Sequence, residues 1–216
     1  MRGAWLVVGG GMMLALGLAS GCTATQPVRV LHKGESRWLA SIGGPLLPNH
    51  TPTGLIPYTN IGRMWGLSDD VTLSADVHVL AAAFGVAGVD IGVARRLHAQ
   101  DGMIPEVTGQ AQLYAFAGDG AARLYPNFTG TASWTAGTRT LLYGGAAVTI
   151  RPTGAAAIIV TPHVGIEYDV SKRFVLQLEG KWMGANIDMR SGLFEGENSI
   201  GGHGAMSLQL GVQVKR

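Results

Sequence analysis

The sequence predicts an all-β protein, an antiparallel up-and-down transmembrane β-barrel of about ten strands, with eight to twelve fitting the pattern. Three observations predict it. Apolar and polar residues alternate through most of the chain, as in Val71-Thr72-Leu73-Ser74-Ala75-Asp76-Val77-His78-Val79. A period of two gives each strand one apolar and one polar face. Glycine is abundant, 33 of 216 residues, which disfavours helices and suits tight turns and closely approaching strands. Charged residues make up only 14% against 47% hydrophobic, yet beyond the first residues no apolar run approaches the length of a membrane-spanning helix.

The chain starts with Met1-Arg2, runs through an apolar stretch from Ala4 to Leu18, and leaves it through Ala19, Ser20 and Gly21. A positive start, an apolar middle and a small-residue exit describe an export signal over residues 1–21. Residues 22–34 then read as a short periplasmic tether, and residues 35–216 as the barrel. Cys22 is the sole cysteine, so no disulfide framework exists. Leu18-Ala19-Ser20-Gly21-Cys22 resembles the lipobox of bacterial lipoproteins. The resemblance implies that Cys22 is acylated and becomes the first mature residue. Thr23, where an Asp would favour retention at the inner membrane, points by the same resemblance to the outer membrane.

Ten segments of strand length follow, near residues 35–43, 55–65, 71–80, 86–96, 104–117, 123–134, 140–150, 156–168, 173–183 and 204–214. Short turns rich in Gly, Asp and Ser fall at 66–70, 98–102, 136–139 and 169–172. The connections between them are generally longer, above all 44–54 and 184–202. Such alternation matches the two ends of an outer-membrane barrel, with the short turns in the periplasm.

The composition of the polar face orients the wall. Ile158, Val160, Val164, Ile166 and Tyr168 face away from Thr161, His163 and Glu167, while Phe174, Leu176, Leu178 and Trp182 face away from Gln177, Glu179 and Lys181. In the last segment Met206, Leu208, Leu210, Val212 and Val214 oppose Ser207, Gln209 and Gln213. Water would favour a face rich in Lys and Glu; this one is mostly Ser, Thr, Gln and a few paired charges, which suits a crowded lumen. Trp65, Trp134, Tyr168 and Phe174 lie near the short turns, where an interfacial aromatic girdle belongs. Arg63 shares a parity with Trp65 and leaves the phase of its segment open.

From residue 35 onward the chain resembles the small outer-membrane β-barrel proteins of diderm bacteria, in architecture and not in any motif. The resemblance implies residence in the outer membrane, with membrane lipid and the barrel-assembly and lipoprotein-sorting machineries as partners. It implies no particular activity. The expected role is structural, anchoring or surface-interacting, without catalysis and without a cofactor. A narrow solute channel, an outer-leaflet hydrolase or lipid-modifying enzyme, and a soluble lipocalin-like carrier are the alternatives. The net charge of +2 is too small to argue for a nucleic-acid partner, and there is no basic run, so none is expected.

Chemistry is to be sought in the lumen. Asp76, His78, Asp90, His163, Glu167, Glu179 and Lys181 all have inward parity, and most of them lie six to eight residues from a short turn, so they are expected to meet near mid-height. His163 is expected opposite Glu179 or Lys181. Such groups suit proton transfer or hydrolysis, but a salt-bridge network that satisfies buried charges is the expected role. A second cluster, Asn186, Asp188, Arg190, Glu195, Glu197 and Asn198 with His50 and His203, falls at the loop end without diagnostic ligand spacing.

Overall fold

In a computed structural model of the chain, ten antiparallel strands close into one barrel. The structure describes residues 25, 27–46, 58–83, 85–118, 120–152, 157–188 and 202–216. Cys22 and residues 189–198 lie outside this set, as does His50. The strands are β1 (Ser36–Pro45), β2 (Tyr58–Ser68), β3 (Val71–His78), β4 (Ala87–His98), β5 (Glu106–Gly118), β6 (Ala121–Ala136), β7 (Thr140–Arg151), β8 (Ala157–Asp169), β9 (Phe174–Asp188) and β10 (His203–Lys215), with a short helix α1 (Val79–Ala83) after β3. Each strand pairs with its neighbours in sequence, and β1 pairs with β10 to close the ring, from Arg37↔Lys215 to Pro45↔Ser207. Closure gives every strand a partner on both sides.

The wall is apolar outside and polar inside. Ile91, Leu113, Phe128, Ile158, Val164, Leu178 and Leu210 are exposed, while Ser74, Gln112, Asn127, Thr161, Gln177 and Gln209 are buried. Trp38, Trp134, Tyr168 and Phe174 stand on the outer face near the short-turn end. Arg63 and Trp65 share that outer face, since Asn60, Gly62, Met64 and Gly66 are the buried parity of β2.

Three local departures from the sequence reading have physical causes. Val79-Leu80 leave the strand and start α1, because Leu80 to Ala83 are strong helix formers and Ala81 buries its methyl. The stretch 118–122, read as a loop, is mostly strand: β5 and β6 pair out to Gly118↔Ala121, with Gly120 at φ +74° beside them. Strand β9 runs to Asp188, into the expected long loop, and its register with β10 shifts between His203 and Ala205 around Gly204 at φ +62°.

The largest departure concerns the expected tether. Its described part does not hang free but folds into the lumen from the short-turn end. Thr25, Val28 and Leu31 are at most 2% exposed. Val28 packs on Leu141 and Tyr143 of β7, and the Leu31 N–H donates to Thr72 Oγ1 of β3 at 2.7 Å. Thr25 occupies the space a Cβ at Gly211 would need, and the His32 carbonyl lies where a Cβ at Gly66 would be. The cause is plain: Val28, Val30 and Leu31 are apolar, and a water-exposed tether would leave them solvated.

Candidate functional site

The lumen is the site that the fold assembles, and buried side chains crowd it toward both ends. At the loop end Tyr58, Tyr114, Phe116, Tyr125 and Met183 form a buried cluster, with Val86 packed against it. Phe116 lies 6.2 Å from Tyr125 and 4.8 Å from the His78 ring, both tilted, at separations where aromatic pairs attract. At the other end sits the segment from Thr25 to Gly34, sealed to the strands by Gly34 N–H to Gly66 O and Gly66 N–H to Glu35 O. Between this segment and the wall is a cavity of about 150 Å³, bordered by Arg29, His32, Arg96, Glu106 and Ser133.

Between the two closures runs a continuous chain of polar contacts. Glu35 accepts from Arg37, and Arg37 Nη1 donates to Gln213 Oε1 at 3.1 Å. Gln213 Nε2 donates to Glu167 at 3.0 Å and to Gln177 at 3.3 Å. Gln177 Nε2 donates to the Tyr143 hydroxyl, which donates in turn to Glu179 Oε2, both at 2.9 Å. Lys181 Nζ reaches Glu179 Oε1 at 2.9 Å. Arg29 of the inserted segment joins this chain through Glu167 at 3.6 Å. Tyr143 can lie across the lumen because its opposite residue is Gly165, where a Cβ would collide with the phenol.

On β3 and β4, Asp76 stands directly opposite Asp90, and His78 Nε2 bonds Asp90 Oδ1 at 2.9 Å. On β5 to β7, Asn127 links Gln112, Thr129 and Thr149. The structure thus places all seven sequence-nominated side chains inside, but on opposite walls: Asp76, His78 and Asp90 on β3–β4, the other four on β8–β9. His163 faces Lys181 in register, as expected, and its Nε2 lies 3.3 Å from Thr131 Oγ1. Sequence reasoning missed Tyr143, Arg37 and Arg29, and it read Gln177 and Gln213 as inward-facing without finding the carboxylates that they link. The available signal was the inward parity of Tyr143 against a glycine on the next strand.

These groups are buried and engaged with one another. His163, Glu167, Glu179 and Lys181 are at most 3% exposed. Among the described residues, no group of three or more His, Cys, Asp or Glu is placed to hold a metal ion. At the loop end, Asn186 pins the edge of β8, accepting from Val160 N–H and donating to Ile158 O, which is a structural use. Outside the strands, burial pushes the Glu35 carboxyl up, but Arg37 and the His32 N–H together outweigh this and hold it below its ordinary value. Asp69 in the β2–β3 turn is also held low, chiefly by the Lys33 N–H.

No protein-family model matches the chain, and no curated protein matches it. Among solved structures, it is similar to the translocator domain of the autotransporter NalP from Neisseria meningitidis, at 10% identity and TM-score 0.43, over 98% of this chain and 96% of that one. It is similar to the outer membrane protein OprG from Pseudomonas aeruginosa, at 11% identity and TM-score 0.37, over 86% and 97%. A third likeness is to a structure described as "Asymmetric conductivity of engineered proteins", at 14% identity and TM-score 0.35, where 77% of this chain spans 46% of the other. The TM-scores are below 0.5, and the wall's own polarity carries the reading of its surroundings.

Proposed function

We propose that the protein is an integral outer-membrane β-barrel whose lumen is a filled polar core, serving as an anchor or surface scaffold without conduction or catalysis. One observation carries this reading: a closed wall with apolar side chains outside, aromatics near one rim, and buried hydrogen-bonded polar groups within. A water-soluble barrel would reverse that polarity. The aromatic cluster and the inserted segment, one at each end, support a non-conducting lumen. Burial of His163, Thr131 and Glu179 supports a structural role for them, because a substrate would have to displace one closure to reach them. Lipid is the main partner, and assembly and sorting machineries are met during biogenesis. Acylation of Cys22 after export belongs to the same proposal. An alkyne fatty acid should label the wild type and not Cys22→Ser.

Membrane pelleting followed by alkaline extraction tests the reading. The protein should stay with the outer membrane. Recovery as a soluble periplasmic species would overturn it and leave an acylated lipocalin-like carrier.

A further inference from the structure

On the outer face of β1 and β2 a single charge, Arg63, stands among apolar side chains; the other outward arginine, Arg95, lies on β4. Arg63 faces outward, directly across from Trp38 on β1 and Ala75 on β3. Its guanidinium carbon lies 5.3 Å from the Trp38 ring centre and 5.5 Å from that of Trp65, so the cation is held between two indoles. Arg63 Nη2 donates to Ser36 Oγ at 3.1 Å. Ser36 is the register partner of Trp65, two residues nearer the short-turn end than Arg63 itself. The side chain therefore bends toward that rim, as an arginine does when it carries its charge from hydrocarbon to the headgroup level. Among the described residues no carboxylate pairs with it; its Nε is buried, so the Nη groups, one of which bonds Ser36, are the donors that an outside group can meet.

A lipid-facing cation is costly at mid-membrane and tolerable only near an interface or beside an anion. A planar guanidinium, fixed by stacking, presents its donors in a fork that matches phosphate oxygens. The neighbouring Ala75 is small, which leaves room on that side. We propose that Trp38, Arg63 and Trp65 form a clamp for the phosphate of an anionic glycerophospholipid in the leaflet at the short-turn end. The proposal rests on the membrane reading above and deepens it by naming the lipid class.

The full-length protein, reconstituted in phosphatidylcholine vesicles, would be titrated with brominated phosphatidylglycerol or brominated phosphatidylcholine while tryptophan emission is recorded. The wild type should reach equal quenching at about one fifth the mole fraction of the anionic lipid, the preference expected of one basic side chain at a membrane surface. In Arg63→Gln the two curves should coincide, and Arg63→Lys should keep part of the preference. Heat-modifiable gel mobility would verify that each variant is folded. Coincident curves in the wild type, or an undiminished preference in Arg63→Gln, would overturn the clamp and leave the barrel reading intact. Absence of quenching by either lipid would overturn the membrane reading and the clamp with it.

Discussion

A lysine at Val164 is the most direct probe of which medium the outer wall meets. Val164 is 67% exposed and five residues from the end of β8 at Asp169. At ~3.4 Å per residue and a tilt of ~40°, it sits about 13 Å above the short-turn end, near the middle of an apolar band of roughly 25 Å. Its partners on both sides are glycines, Gly144 and Gly180, so the ladder offers no carboxylate to a lysine there. Leu176, two residues from the start of β9 at Phe174, is only about 5 Å from the same end by the same arithmetic. Val164→Lys should therefore destabilise by about 2–4 kcal/mol and Leu176→Lys by about 0–1 kcal/mol. Urea unfolding in phospholipid vesicles, followed by tryptophan emission, measures both, with Val164→Leu as a volume control. Equal costs at the two sites, or a negligible cost at Val164, would refute the assignment of this face to lipid. Gln177→Lys is not a mild comparison, although the residue faces inward: Gln177 is fully buried and holds Tyr143 and Gln213.

Further outcomes follow from the lumen. The wild type should be silent in planar bilayers, and deletion of residues 25–34 alone should stay silent because the aromatic cluster persists. The same deletion with Phe116→Ala and Tyr125→Ala should conduct, and steady steps in the wild type would refute the closed lumen. Lys181→Met should cost about 3–5 kcal/mol by leaving Glu179 buried beside an apolar group, and Lys181→Met with Glu179→Gln should recover most of that in chemical unfolding. The depressed Glu35 and Asp69 carboxyls stabilise the folded rim at pH values above their ordinary values and lose that contribution as pH falls through their lower folded values. Protease protection of residues 27–34 should accordingly weaken below about pH 4 and hold at pH 7.

The wall was legible because each strand obeys a period of two; the 169–172 turn put His163 opposite Glu179 or Lys181, and only the observed register, with Asp169 opposite Val175, selects Lys181. The lumen network was legible only as a set of inward residues. Which of them touch, as Gln213 and Glu167 do, depends on how the closed ring staggers its strands, and no local pattern records that. The inserted segment was illegible for a related reason. Val28, Val30 and Leu31 are too few to show a period, and their partners Leu141 and Thr72 are far away in sequence. Arg63 was ambiguous because a charge on an apolar face argues against its own phase until the flanking indoles are seen.

The inserted segment also constrains the order in which the molecule can be built. It immediately precedes β1, and β1 must meet β10 to seal the ring through pairs such as Arg37↔Lys215, contacts between the two extremes of the barrel sequence. Residues 25–34 touch β2, β3, β7, β8 and β10 from within. Once the seam has zipped, that peptide would have to enter through a narrowed mouth past Arg37 and Glu35. The simplest sequence of events has the growing sheet curl around its own leading end, which then acts as a mandrel on which the last strand is wrapped.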